Sequence, residues 1–319
     1  MRALITGISG QDGSLLSEFL ISKGYDVYGI MRPESDQSNL EDLIREKKVK
    51  IISGDLMNED LLRYILTNIQ IDEIYNLASQ SNIRLSYEKA RLTFEVTLMG
   101  TISLIESVKN YSPKTRVFQA GSSSMFGKNC DDDGLQRETT PFNPVSPYAS
   151  SKLFAYNICQ NYRINQGIYI SNGILYNHES VKNKKNLGII KTIARKAVSI
   201  RNGNIETLDI PDPSIRIDFS HAKDCVEAMW ISLQQKEADD YIIGSGESYS
   251  IEQICFYIFN KLGLNPSDYI NKGGEKSTAF SAIGDPTKIQ KLGWSRKYKF
   301  HEMLDEILNH ELEENKPLR

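Results

Sequence analysis

Arg2-Ala3-Leu4-Ile5-Thr6-Gly7-Ile8-Ser9-Gly10-Gln11-Asp12-Gly13 opens the chain and decides its class. Residues 2–6 are a short apolar run that stops at a glycine. Leu15, Leu16, Phe19 and Leu20 then share one face of a helix read over residues 12–23. Glycines between a strand and a helix permit a tight turn and let the backbone approach a pyrophosphate. The N–H groups and dipole of the helix N-terminus favour such an anion. The spacing here is G-x-x-G-x-x-G, and Gly7, Gly10, Gln11, Asp12 and Gly13 become candidate dinucleotide contacts; a glycine-rich turn without ligand is the plainer alternative.

The same alternation runs on through strand 25–30, strand 49–53, helix 59–68, strand 73–77, helix 88–109, strand 116–120, helix 147–166 and strand 168–175. It predicts an α/β fold, a doubly wound parallel sheet of Rossmann type covered on both faces, with ligands beyond the carboxyl ends of the strands. After about residue 176 the regularity weakens. A basic loop (Lys182, Lys184, Lys185), a helix over 187–201 and a Pro- and Asp-rich stretch from Asp209 to Asp218 read as a smaller lobe. Residues 1–175 are therefore expected to form the dinucleotide-binding domain, with strands near 215–245, such as Tyr241 to Ile243, returning to it. Residues 176–319 are expected to form mostly a substrate-binding lobe, and Glu311-Leu-Glu-Glu-Asn-Lys to be a fraying, solvated helix end.

Bulk properties narrow the function. With 319 residues and 40% hydrophobic residues, and a mean hydropathy of −0.39, this is an ordinary globular composition. A net charge of −3 gives no basic field for nucleic acid. No apolar run reaches the ~18 residues of a membrane span, and no signal peptide precedes the first strand, so a cytoplasmic location is expected. Cys130, Cys159, Cys225 and Cys255 read as free thiols. His178, His221, His301 and His310 lack ligand spacing, so no metal is expected.

The chemistry sits in Ser146-Pro147-Tyr148-Ala149-Ser150-Ser151-Lys152. Four-residue spacing puts a phenol and an ammonium on one helical face, where the cation is expected to lower the tyrosine pKa. Ser122, Ser123 and Ser124 follow the strand at 116–120. Asp55, in Gly54-Asp55-Leu56, ends the third strand, and either accepts the adenine amine or caps the helix that follows. Strand two ends in Ile30-Met31-Arg32-Pro33-Glu34. An acid there reads the ribose diol of NAD and an arginine the 2′-phosphate of NADP, so Arg32 by itself leans to NADP.

With these motifs together, the chain resembles the extended short-chain dehydrogenase/reductases, and among them is similar to the GDP-mannose 4,6-dehydratase family. The likeness is carried by Thr6 to Ser14, by Asn76-Leu77-Ala78-Ser79-Gln80-Ser81, by Asn172-Gly173-Ile174-Leu175-Tyr176-Asn177-His178-Glu179-Ser180, by His221-Ala222-Lys223-Asp224, and by Gly284-Asp285-Pro286-Thr287-Lys288 with Leu292-Gly293-Trp294. It implies that Tyr148 is the acid/base at a sugar hydroxyl, that Lys152 holds the nicotinamide ribose, and that Ser122 hydrogen-bonds the C4 oxygen. Leu56, Leu77 and Ala78 would line the cofactor. Ser79, Ser86, Ser123, Asn177, Glu179, Lys191 and Arg216 would line the substrate. Asn177 and His178 serving only the loop backbone, and Lys191 as a solvated helix lysine, are the alternatives. Pairing through the helices at 88–109 and 147–166 would give a homodimer or larger assembly.

The departures from the family matter as much. Its catalytic carboxylate, two residues after the threonine or serine, is Ser124 here, and the nearest acids in sequence are Asp131 to Asp133. Its arginine before Asp-Trp/Phe-x-His is Ile217, with Arg216 on the opposite strand face, and its Arg-Pro-x-Glu element is Glu275-Lys276-Ser277-Thr278. Pro33 replaces the second basic residue after strand two, which favours NAD, with NADP as the alternative. The resulting expectation is an NAD(P)-dependent C4 oxidation of a GDP-linked, manno-configured hexose or heptose to the 4-keto sugar. A 4-keto reductase, a C4 epimerase, a 4,6-dehydratase with a displaced base and a non-catalytic nucleotide sensor are the rivals.

Overall fold

The computed structural model describes residues 1–184, 188–204, 207–273 and 283–316. In chain order the first part runs β1 (Arg2–Thr6), α1 (Gln11–Ser22), β2 (Asp26–Met31), α2 (Glu41–Arg45), β3 (Val49–Ser53), α3 (Glu59–Asn68), β4 (Glu73–Asn76), α4 (Ile83–Glu88), α5 (Ala90–Phe94), α6 (Gly100–Tyr111) and β5 (Arg116–Ala120). It continues with β6 (Leu135–Gln136), α7 (Pro147–Gln166), β7 (Ile170–Leu175), β8 (Asn177–Glu179), α8 (Ile189–Arg201), β9 (Leu208–Ile210), β10 (Arg216–His221) and α9 (Ala222–Leu233). Last come β11 (Asp240–Ile243), β12 (Ser248–Ser250), α10 (Ile251–Lys261), β13 (Ile270–Lys272), β14 (Ile283–Gly284), α11 (Thr287–Gln290) and α12 (Phe300–Glu314).

Seven strands form one sheet in the order β11-β7-β5-β4-β1-β2-β3, every pairing parallel. The fold is thus doubly wound α/β. The order reverses between β1 and β4, and the crevice at such a switch point is where these sheets bind ligands. Alternation along β1 explains the two layers. Ala3 and Ile5 join the core beneath α1 and α9, while Leu4 joins Leu62, Leu104 and Val117 on the other face. Beyond β7 the chain builds a three-stranded sheet, β12-β10-β8. A separate apolar core forms there from Ile193 and Ala197 of α8, Ile254 and Ile258 of α10, and Leu304 and Ile307 of α12. β11 joins the large sheet, whereas β10 stays in the small one.

Two expectations change. The single helix read over 88–109 is broken. Lys89 leaves helical geometry at φ −130, ψ 52, and α5 passes into α6 through a π-helical turn, Glu95–Met99. The tail is exposed from Glu313 onward, as a solvated helix end would be, but its first residue is not. Glu311 is 1% exposed, with its carboxylate 3.0 Å from Arg195 Nε and 3.6 Å from Lys191 Nζ, so it ties α12 to α8. No helix among the described residues is long and apolar enough to cross a membrane.

Candidate active site

A cleft of about 1110 Å³ opens beyond the carboxyl ends of the large sheet, between it and the small one. Its floor is the turn from β1 into α1. Gly7 has φ +67, in the left-handed region, and a Cβ there would lie 3.0 Å from Ala78 N. A Cβ on Gly13 would lie 2.5 Å from both Gly7 O and Ile8 Cα, so the close approach of α1 to β1 requires glycine. Gly10 differs. Its φ is −73, and an added Cβ would meet only Gly7 O, at 3.3 Å. Gly10 is the N-cap of α1 and no side chain caps that end, so the first N–H groups of the helix face a cleft able to take an anion. Thr6 Oγ1 accepts from Leu77 N and Ala78 N, each at 3.1 Å, and donates to Asn76 Oδ1 at 2.6 Å, which seats the end of β4 beside the turn. This backbone cradle fits a dinucleotide.

The reacting groups lie on the wall made by β5 and α7. Ser146 caps α7 by accepting from Ala149 N, and Pro147 starts the helix, so Tyr148 and Lys152 are presented from its first turns. Lys152 Nζ donates to Ala120 O at 2.8 Å and stands 6.0 Å from the Tyr148 ring centre. Ser122 Oγ accepts from Ser124 N at 3.2 Å and is hydrogen-bonded to Tyr148. The expected lowering of the tyrosine is not present in this arrangement. Burial raises the Tyr148 pKa, the Asp12 charge adds to the rise, and the Ser122 hydrogen bond opposes it. Burial also brings Lys152 down to about 8, with Asp12 holding it up. The lysine is turned to the Ala120 carbonyl, not the phenol, so the paired charge read from the i, i+4 spacing does not form.

Leu56, Leu77, Ala78, Ser79, Ser122, Ser123, Ser124, Asn177, Glu179, Arg32, Asp55 and Arg216 all line the cleft with the glycine turn, Gln11 and Asp12. Several are already engaged. Arg32 pairs with Glu34 at 3.3 Å. Asp55 accepts from Met57 N, while the N-cap of α3 is Asn58. Glu179 accepts from Ile190 N and Lys191 N, both at 3.1 Å, and so holds the start of α8. Arg216 donates to Ser248 Oγ at 3.0 Å and to the Ser248 carbonyl.

Two residues expected at the substrate are not among those lining the cleft. Ser86 is buried and donates to Ile83 O, and Lys191 is 2% exposed, donating to Val181 O at 2.9 Å. Neither the solvated lysine nor the substrate contact describes Lys191, because Glu311 draws it inward. Asp131 and Asp133 are held by Arg137 at 2.8 and 2.6 Å and are not among the cleft-lining residues. Glu275 to Thr278 lie outside the described residues.

Sequence reasoning passed over Arg84, Tyr87 and Asn39 on the rim and the partners of His178 within it. Asn39 Nδ2 donates to Ser9 O and Lys182 O, joining the glycine turn to the segment after β8. His178 Nε2 lies 2.9 Å from Asp12 Oδ2. Nothing in local spacing links residues so far apart along the chain. No group of three or more His, Cys, Asp or Glu is placed to hold a metal among the described residues.

Comparison with known proteins places this site in a family. Residues 4–307 match the model of the GDP-mannose 4,6 dehydratase family. GDP-mannose 4,6 dehydratase 1 of Arabidopsis thaliana is 37% identical over 328 residues, covering 98% of this chain and 90% of that protein. A GDP-mannose 4,6-dehydratase of Vibrio cholerae serotype O1 is 38% identical, covering 91% of this chain and 80% of its own. A dTDP-glucose 4,6-dehydratase from Streptomyces venezuelae, solved with NAD and TYD bound, superposes with a TM-score of 0.86 at 22% identity, covering 99% of this chain and 98% of that one. That likeness shows the fold. The chain belongs to the GDP-mannose 4,6-dehydratase family, and is an enzyme of the short-chain dehydrogenase/reductase superfamily.

Proposed function

We propose that the enzyme oxidises C4 of a GDP-linked, manno-configured sugar, hexose or heptose, to the 4-keto sugar. The cofactor is NAD or NADP, and we favour NAD because Arg32 is exposed and already paired with Glu34. When bound, the oxidised nicotinamide supplies the hydride acceptor. Tyr148, in its phenolate form, takes the proton of the C4 hydroxyl as a hydride passes from C4 to that acceptor. Ser122 Oγ holds the same oxygen, and the Lys152 ammonium, 6.0 Å from the ring centre, supplies the positive charge that favours the phenolate. Positioned acid–base catalysis of this kind contributes about 10²–10⁴-fold.

The observation that carries the reading is that Ser124, which the sequence resemblance aligns with the family's carboxylate, lines the cleft wall. A neutral hydroxyl without a base behind it is a poor acceptor for the C5 proton, so the 4-keto sugar keeps its C6 group. The family's own 4,6-dehydration is the second reading, favoured by the names of the curated relatives. Incubation with GDP-mannose and with a GDP-manno-heptose in deuterated water separates the two. Loss of two hydrogens with no deuterium at C5 is the expected result. A 4-keto-6-deoxy product carrying deuterium at C5 returns the chain to dehydration. We further propose a homodimer formed through the helices at 90–111 and 147–166, where Leu92, Met99 and Phe154 are exposed.

A further inference from the structure

Asp12 presents a difficulty for the dinucleotide reading. It stands in the first turn of α1, beside N–H groups that a pyrophosphate would take, and two anions at one helix N-terminus repel each other. Its partner comes from the other side of the cleft. His178 Nε2 is 2.9 Å from Asp12 Oδ2, and His178 Nδ1 is 2.7 Å from Tyr176 O. A carbonyl oxygen only accepts, so Nδ1 carries a proton. The other Asp12 oxygen accepts from Gln11 Nε2 at 3.1 Å. Against its burial, His178 and Gln11 hold the Asp12 carboxyl below its usual range, so it is ionised, accepts on both oxygens, and Nε2 carries the second proton. The ring is an imidazolium with both donors fixed.

We propose that His178 is a positioning residue for the cofactor: its imidazolium cancels the Asp12 charge at the mouth of the dinucleotide helix and fastens that helix to the strand that begins the small lobe. The inference rests on the reading that a dinucleotide occupies the α1 N-terminus. The fastening is more than one bond. Gln11 Nε2 donates to His178 O at 3.2 Å, and Ser180 Oγ donates to Gln11 Oε1 at 3.0 Å. Between them, Glu179 holds the first N–H groups of α8. Residues 178–180 therefore grip the cofactor helix and the lobe helix at once.

The surrounding charges agree in direction. Burial disfavours the His178 cation, but the Asp12 carboxylate outweighs it, with help from Tyr176 O and Glu179, and the pKa rises to about 9. Lys152 and Tyr148 on α7 and Cys225 on α9 also feel the Asp12 charge. The imidazolium is present below about pH 9 and is lost above it, leaving Asp12 uncompensated.

The test is the dissociation constant of NAD(H) or NADP(H), whichever binds, measured by titration on the wild type, His178→Asn, Asp12→Asn and the double variant. His178→Asn should weaken binding on the order of tenfold, because it leaves a bare carboxylate near the pyrophosphate. The double variant removes both charges and should recover most of that loss. Wild-type affinity should fall as pH rises through about 9, and by more than that of His178→Asn, in which only the Lys152 titration remains. The pH series on the wild type needs no substitution to fold. A His178→Asn protein that binds like the wild type, or a double variant no better than His178→Asn, overturns the proposal. A wild type that binds no dinucleotide overturns the functional reading and this inference with it.

Discussion

Replacing the three glycines of the first turn one at a time separates folding from binding. Gly10 has an extended backbone, φ −73 and ψ 175, that any residue adopts. Its added Cβ would touch only Gly7 O, at 3.3 Å. Gly10→Ala should therefore change stability by no more than ~0.5 kcal/mol. Gly10→Val keeps the fold and places two methyl groups in the space that a pyrophosphate must enter. Losing about two charge-assisted hydrogen bonds from the helix N-terminus, each worth roughly 1.5–3 kcal/mol, weakens dinucleotide binding about 10²–10⁴-fold. Gly13→Ala works in the opposite way. Its Cβ would sit 2.5 Å from Gly7 O and Ile8 Cα and 2.7 Å from Ile8 O, all backbone atoms that cannot swing aside. Overpacking costs of about 1–3 kcal/mol or more follow, and the melting temperature falls. Gly7→Ala pays about 1–2 kcal/mol for its left-handed backbone as well as the contact with Ala78. Thermal denaturation and dinucleotide titration on the same four proteins read both effects. Wild-type affinity in Gly10→Val would show that no pyrophosphate approaches that residue, and wild-type stability in Gly13→Ala would show that α1 does not pack as closely as described.

Four further expectations follow from the same geometry. Tyr148→Phe should lower turnover about 10²–10⁴-fold with the dinucleotide still bound; near-full turnover removes the tyrosine from the acid–base role. The Lys152 ammonium, brought down to about 8 by burial, is present below that pH and lost above it, so turnover should fall on the alkaline side. Because Asp12 supports that charge, Asp12→Asn should move the fall to lower pH, and an unmoved pH–rate profile contradicts the coupling. Ser124→Glu supplies a carboxylate at the position that the sequence resemblance aligns with the family's, and deuterium appearing at C5 of the keto product, absent in the wild type, checks it by mass. Glu311→Gln leaves buried Lys191 with a neutral partner and should cost about 3 kcal/mol in urea denaturation; a loss under 1 kcal/mol, roughly the value of a surface pair, argues that the cluster is not buried as described.

Most of the large sheet was legible because its signals are local. β1, β3, α3, β5 and α7 begin and end where the sequence places them. Apolar runs of the right length, and Ser146 and Pro147 at the start of α7, act within a few residues, although the cap of α3 is Asn58 and not the Asp55 offered by the sequence. The π-helical turn inside the helix read over 88–109 carries a contact that local periodicity does not show. Thr97, inside the π-helical turn, has its hydroxyl 3.0 Å from Ser79 Oγ at the end of β4, and Thr101 Oγ1 donates back to Thr97 O. Glu311, the first residue of the tail, was misread because its partners are distant in sequence. The tail's composition is that of a solvated end, and only the packing of α12 on α8 puts Glu311 beside Lys191 and Arg195. The motif residues of the site were legible one by one. Their mutual contacts, His178 with Asp12 above all, were not, because charge pairing across a cleft leaves no periodic trace.

Whether the reaction stops at the 4-keto sugar turns on what else in the cleft could remove a carbon-bound proton. Among the described residues the carboxylates lining it are Asp12, Asp55, Glu179 and Asp218. Asp12 accepts from His178 and Gln11, and Asp55 from Met57 N. Glu179 holds two N–H groups of α8. Asp218 accepts from Ser245 N and Oγ, Gly246 N and Gly284 N. A base must turn a free lone pair toward C5. For Asp12, Glu179 or Asp218 that means giving up hydrogen bonds to a charged group worth roughly 1.5–3 kcal/mol each, and in Glu179 and Asp218 uncapping a helix or releasing a loop besides. Asp55 is the least constrained, but it ends β3, on the far side of β1 and β2 from the β5 and α7 wall that carries Ser122 and Tyr148. Ser122, Tyr148 and the engaged carboxylates of the described residues support the proposed outcome, in which the C4 hydroxyl has a partner for its proton and the C5 hydrogen has none.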